Sequence, residues 1–181
     1  MELTGPELLL VVTTPTAYQR EVTTLLAGLL RRGGCIYVSV NQPCDTVQRR
    51  LRGAVTDAEL ENLFCIDCVS KPVTGTQEDS RNRVYVSGPS ASTDLSIAIE
   101  QAVQHFADSP SGCRLLFDAL STLLIYNQEN HVAQFTHTTV TKLRMRQIGG
   151  VFIVVDEKKH GHFLSKVVPF FDSMVSKTEK T

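Results

Sequence analysis

Near-continuous apolar runs alternate along this chain with stretches of helical periodicity. The runs around Leu8–Val12, Cys35–Val40, Leu63–Cys68, Cys113–Asp118 and Val151–Val155 lack the strict apolar–polar alternation of a sheet that is wet on one face. Strands buried on both faces read this way, and they occur in parallel sheets covered by helices on each side. The predicted fold class is therefore α/β: a single domain with a mostly parallel twisted sheet and helices on both faces. At 181 residues the chain is long enough for one large core. The domain is taken as residues 1–176, with 177–181 as a frayed tail.

Between the strands the punctuation is local. Val22, Leu25, Leu26, Leu29 and Leu30 form the buried stripe of a first helix, closed by Gly33-Gly34. Asp45 to Leu51 is predicted as a short helix, and Thr56 as the cap of another turn. Residues 69–82, with Pro72 and Gly75, read as one long polar loop. Thr93 is placed as the cap of a helix reaching Phe106. Helices follow over Ser121–Tyr126, Glu129–Arg146 and Phe163–Phe171, and Met174-Val175 suggests a terminal strand.

The connection from the first strand to the first helix, Thr13-Thr14-Pro15-Thr16-Ala17-Tyr18-Gln19-Arg20-Glu21, is where a G-x-x-x-x-G-K-[ST] phosphate loop would sit. On that pattern Thr14 and Gln19 stand for the glycines, Arg20 for the lysine and Glu21 for the hydroxyl that binds Mg²⁺. Ala17 replaces a further common glycine. Backbone N–H groups turn inward around phosphate most readily when the residues lack Cβ. Tyr18 and Gln19 would crowd that path. Glu21 would bring its own negative charge to a helix N-terminus that otherwise attracts anions. An ordinary strand–turn–helix is the plainer reading of this segment alone.

Taken in order, four segments resemble the RecA superfamily, and within it the KaiC-like proteins common in archaea. They are this degenerate loop, the helix end, Gly turn and "YVS" strand from Leu29 to Ser39, the Leu115-Leu116-Phe117-Asp118-Ala119-Leu120-Ser121-Thr122-Leu123-Leu124 segment, and Gly150 to Val155 with the later Phe171-Asp172. The resemblance implies a RecA-like P-loop fold, C-terminally short, with a degenerate Walker A motif. It makes Asp118 a vestigial Walker B carboxylate. It places Asn41-Gln42 where active relatives carry the acid that positions the attacking water. An amide side chain cannot act as a general base. Asp118 has a structural alternative as the cap of the helix after it.

Other motifs are weaker. Cys65 and Cys68 have C-x-x-C spacing, but residues three apart on a strand face opposite sides. Five cysteines scattered through apolar segments fit reduced thiols better than a disulfide framework. His160 and His162 near Asp156-Glu157 could hold a metal, although a polar loop explains them as well. No metal or other cofactor is expected. The arginines 49, 50 and 52, with Lys142, Arg144 and Arg146, are the basic clusters. A formal net charge of −1 and the lack of an aromatic-interleaved basic stripe give no clear nucleic-acid signal. No apolar run approaches the roughly 18 residues of a membrane span, and no signal peptide is visible, so a cytoplasmic protein is expected.

Two classes of function follow. The first is a non-catalytic, RecA-like pseudo-ATPase acting as a regulatory or protein-interaction module, with itself or an active paralogue as partner. The family resemblance adds signal transduction. The second is a nucleotide-binding ATPase that uses Arg20 and Asp118. A DNA-repair accessory role is a weaker third, since it needs a basic groove.

Overall fold

The structure is a computed structural model that describes residues 5–156 and 158–177. Seven strands form one parallel sheet in the order β4-β3-β2-β5-β6-β1-β7. They are β1 (Leu8–Thr13), β2 (Gly34–Ser39), β3 (Leu63–Asp67), β4 (Arg83–Tyr85), β5 (Cys113–Asp118), β6 (Gly150–Val155) and β7 (Ser173–Lys177). The helices are α1 (Tyr18–Leu30), α2 (Cys44–Leu51), α3 (Asp57–Leu60), α4 (Ser70–Thr74), α5 (Ser92–His105), α6 (Leu120–Tyr126), α7 (Glu129–Met145) and α8 (Gly161–Val167). The single-domain α/β architecture expected from the apolar runs is the one observed.

Alternation along each strand divides the core in two. Leu8, Leu10 and Val12 face the core beneath α5–α8, together with Ile36, Val38, Phe117 and Phe152. Leu9 and Val11 face the opposite core, with Tyr37, Leu116 and Ile153, under α1 and α2. Every residue of β1, β2 and β3 is buried, which is why their sequences show no polar alternation. Gly34 and Gly149 sit where the chain is tight. A Cβ at Gly34 would lie 2.6 Å from the Phe106 ring, and one at Gly149 would lie 2.8 Å from the Gly5 carbonyl.

Several local expectations are corrected. The stretch 69–82 is not one loop, because Ser70–Thr74 forms α4 and Gly75 ends it at φ 75°. Pro72 falls in the first turn, where a missing N–H costs little. Thr93 does not cap α5. The helix begins at Ser92, Ala91 holds the cap position, and no side chain caps it. The last helix stops at Val167, and Val168–Phe170 tightens into a 3₁₀ turn around Pro169. The cysteines are not all reduced thiols. Cys44, first in α2, is disulfide-bonded to Cys65 in the middle of β3, with Cα atoms 6.4 Å apart. The crossover from β2 to β3 brings together two residues 21 apart in the chain. Cys35, Cys68 and Cys113 remain free. Strand β7 pairs parallel with β1 through Lys177, one residue past the expected domain boundary, and 178–181 lie outside the described residues.

Candidate functional site

The carboxyl ends of β3, β2 and β5 carry a row of buried polar side chains. Ser39 is in register with Asp67 on one side and with Asp118 on the other. Each of the three is at most 1% exposed. A buried carboxylate is tolerated only when its oxygens are hydrogen-bonded. Both aspartates meet that demand, in different ways.

Asp118 is bound by side chains. The Tyr18 hydroxyl at the start of α1 donates to Oδ1 at 2.5 Å, and the Tyr37 hydroxyl on β2 donates to Oδ2 at 2.5 Å. The Asn41 amide donates to the Tyr18 hydroxyl at 2.7 Å and lies 3.4 Å from Oδ1. Thr122 on α6 donates to Asn41 Oδ1 at 2.6 Å. Tyr18 therefore reaches from the β1 side of the sheet past β6 to a carboxylate on β5. Burial raises the Asp118 pKa, and the donors Tyr18, Tyr37 and Asn41, with the Arg50 guanidinium nearby, oppose that rise without cancelling it. The two tyrosine pKa values are also raised, first by burial and then by the negative charge of Asp118.

Asp118 does not cap the following helix. Ala119 is extended at φ −133° and ψ 150°, and no side chain caps α6. The two tyrosine hydroxyls hold the carboxylate instead.

Asp67 is bound mainly by backbone. It accepts from the Cys44 N–H at 2.8 Å, the Val69 N–H at 2.9 Å, and the Ser70 N–H and hydroxyl, each at 2.8 Å. It thus ties the start of α2 to the start of α4.

At the strand–helix connection the residues on the phosphate-loop pattern have other work. Thr14 starts a helical turn: its carbonyl accepts from the Tyr18 N–H at 3.0 Å, and its hydroxyl accepts from the Ala17 N–H at 3.2 Å. Pro15 has no N–H to offer. Two N–H groups that a phosphate loop would turn inward are thereby occupied within the turn. Ala17 is buried, while Gln19 and Arg20 are exposed. Glu21 lies in the first turn of α1 and is engaged by a side chain from another element. Its carboxylate pairs with the Lys177 ammonium on β7, and its own N–H donates to the Ala17 carbonyl. Gln42 has a buried side-chain oxygen with no hydrogen-bond partner, and its backbone carbonyl accepts from the Ser39 hydroxyl.

The Glu21–Lys177 pair is half-shielded, with side chains 11% and 31% exposed. Glu21→Gln and Lys177→Met are each expected to lower stability by about 1 kcal/mol. Glu21→Lys should cost more, since it sets two ammonium groups against each other. A double-mutant cycle read by urea denaturation should give a clear coupling energy, and no coupling would remove the pair from this account.

The remaining candidates stay apart. Among the described residues no three His, Cys, Asp or Glu side chains are grouped to hold a metal. His162 pairs with Glu129 at 2.7 Å, which Lys166 also contacts at 2.8 Å, while Glu157 lies outside the described residues. Cys65 and Cys68 belong to opposite cores. Arg50 adjoins the Asp118 network, whereas Arg144 pairs with Asp172 at 2.8 Å and Arg146 with Glu100. No described helix is long and apolar enough to cross a membrane.

The parallel sheet with helices on both faces makes this a doubly wound α/β domain. It belongs to the family described as a family of unknown function (DUF7504), whose model matches residues 5–176. Among solved structures the chain is similar to the uncharacterised protein PH0321 of Pyrococcus horikoshii, crystallised in complex with an unknown peptide. The two are 17% identical with a TM-score of 0.70, over 96% of this chain and 78% of that one. It is also similar to the KaiC-like protein PH0186 of Pyrococcus horikoshii OT3. Identity there is 10% and the TM-score 0.57, over 84% of this chain and 62% of that one. No curated protein matches the chain.

Proposed function

We propose that this chain is a non-catalytic RecA/KaiC-like domain, a pseudo-ATPase that acts as a regulatory or protein-interaction module. The observation that carries the reading is the Tyr18–Asp118 hydrogen bond of 2.5 Å. The carboxylate that would serve Mg²⁺ is engaged by the protein's own hydroxyls, and one of them comes from the loop–helix junction that would hold phosphate. Thr14, Ala17, Gln19, Arg20 and Glu21 are then the remains of a nucleotide loop, and Asp118 of a Walker B site. Asn41 and Gln42 stand where a catalytic acid has been lost. Asn41 supports this by serving as a hydrogen-bonding bridge between Thr122 and Tyr18.

The proposed setting is a cytoplasmic regulatory role, with signal transduction as one form of it. The functional unit is the single domain, carried by β7 through Lys177, and the partner is a second copy or an active RecA-like paralogue. The likeness to PH0321, a protein solved with a peptide bound, supports a protein-contacting role.

Incubation with Mg·ATP is expected to release no phosphate above a buffer blank. Release that Arg20→Ala abolishes would contradict the proposal. It would favour the second reading, a nucleotide-binding ATPase. One observation favours that reading: Arg20 is exposed on the first turn of α1 and forms no salt bridge among the described residues.

A further inference from the structure

Helices α5 and α7 pack against the same core, and a groove runs between them. Three hollows make it up. One of about 190 Å³ lies at the start of α5, between Ser96 on one helix and His131 and Thr138 on the other. It shares Ser96 and Thr138 with a neck of about 20 Å³. The neck shares Val103 and Arg146 with a chamber of about 600 Å³ beneath the amino ends of β5 and β6. The three hollows thus follow one another along α5. A helix of 14 residues is about 20 Å long at 1.5 Å per residue, the reach of roughly six residues of extended chain.

The floor is apolar, made by Ile99, Val103, Phe135 and Leu143. Cations predominate along it. Arg114, Lys142 and Arg146 line the neck and chamber, against a single lining carboxylate, Glu100. That carboxylate is already engaged by Arg146. Arg114 Nε is enclosed and has no hydrogen-bond partner. The whole chain carries a formal net charge of −1, so this basic strip is a local concentration and not a general property of the surface.

We infer that the α5–α7 groove binds an extended, acidic peptide segment of a partner protein. Apolar side chains of the segment seat on the floor, and its Asp or Glu carboxylates meet Lys142, Arg146 and Arg114. Guanidinium groups suit carboxylates because they offer paired donors in a plane. The neck admits no more than a small side chain, so the segment lies over it and fills the hollows on either side. Nucleic acid fits less well. Three cations along the groove make a weak phosphate track, and of the rings that line it Phe106 and Phe135 are largely buried while His131 is hydrogen-bonded with Ser92 at 2.8 Å. The inference rests on the interaction reading above and gives it a surface.

The test is selection of a displayed random heptapeptide library on the wild-type protein. The same selection is run on an Arg114→Gln/Lys142→Glu variant whose fold is checked by circular dichroism. The best peptide is then titrated by fluorescence anisotropy. Wild type should enrich sequences that mix acidic and apolar residues. The double variant should bind the selected peptide more weakly, on the order of tenfold or more. Glu100→Gln should bind it as well or better. No enrichment, enrichment of non-acidic sequences, or tighter binding of a single-stranded oligothymidylate would overturn the inference. So would an acidic peptide whose affinity the double variant leaves unchanged, although that result would spare the interaction reading and move its surface elsewhere. An Mg·ATP-dependent activity would do the reverse, striking the pseudo-ATPase reading while leaving the groove's affinity intact.

Discussion

Replacing Asp118 by alanine is expected to lower the stability of the fold by about 3 kcal/mol, since it strands two hydroxyl donors that the interior cannot solvate. For a domain of this size that corresponds to a fall in Tm of roughly 6–12 °C. Tyr18 and Tyr37 would each lose the acceptor they hold at 2.5 Å, and Asn41 would lose its second acceptor. Asp118→Asn should cost less, because it keeps one oxygen and a similar shape. The loss should also depend on pH. Burial raises the folded-state pKa of Asp118. Its contribution to stability is then fully present below the ordinary carboxylate range, near about pH 4, and falls as pH rises through the folded value. The difference between wild type and Asp118→Ala should therefore be largest in acid and shrink toward neutrality. A variant that melts with wild type at all pH values would contradict the network.

Asp67→Ala should be comparably damaging, at about 3 kcal/mol, for a different reason. This carboxylate accepts four hydrogen bonds, three of them from backbone N–H groups of Cys44, Val69 and Ser70. Its loss uncaps α4 and leaves the buried start of α2 without its acceptor. The damage should be local as well as global, with amide exchange speeding first around residues 69–75. The capping box at Thr56 and Glu59 offers a calibration. It is exposed, and Thr56→Ala should cost only about 1 kcal/mol. If Asp67→Ala costs no more than Thr56→Ala, the Asp67 hub is not a structural tie.

The two aspartates also mark the limit of what the sequence discloses. The strands were legible because burial on both faces removes polar alternation, and this held even for Cys35–Ser39 with a tyrosine in the middle. Asp118 was legible as a position but not as an environment. Its partners Tyr18 and Tyr37 lie 100 and 81 residues away, and nothing local ties them to it. Tyr18 read as an obstruction in the loop, whereas its hydroxyl is the group that donates to Asp118 Oδ1. Tyr37 read as a β-former in a "YVS" strand. Asp67 carried no signal at all, since its role needs α4, and α4 was hidden by Pro72 and Gly75. Those residues look like breakers, yet a proline in a first turn and a glycine at a left-handed cap are compatible with a short helix. Glu21 was read through the helix dipole, but its partner Lys177 comes from β7, at the far end of the chain.

The central claim is that nucleotide has no place to bind beside a carboxylate held by Tyr18 and a turn closed by Thr14. Thermal melts with and without millimolar Mg·ATP test it most directly. A ligand that binds only the folded state adds RT ln(1 + [L]/Kd), about 2.7 kcal/mol at a hundredfold excess over Kd. Melts of the wild-type chain with and without Mg·ATP are expected to superimpose. A reproducible rise in Tm with Mg·ATP, lost in Arg20→Ala, would contradict it.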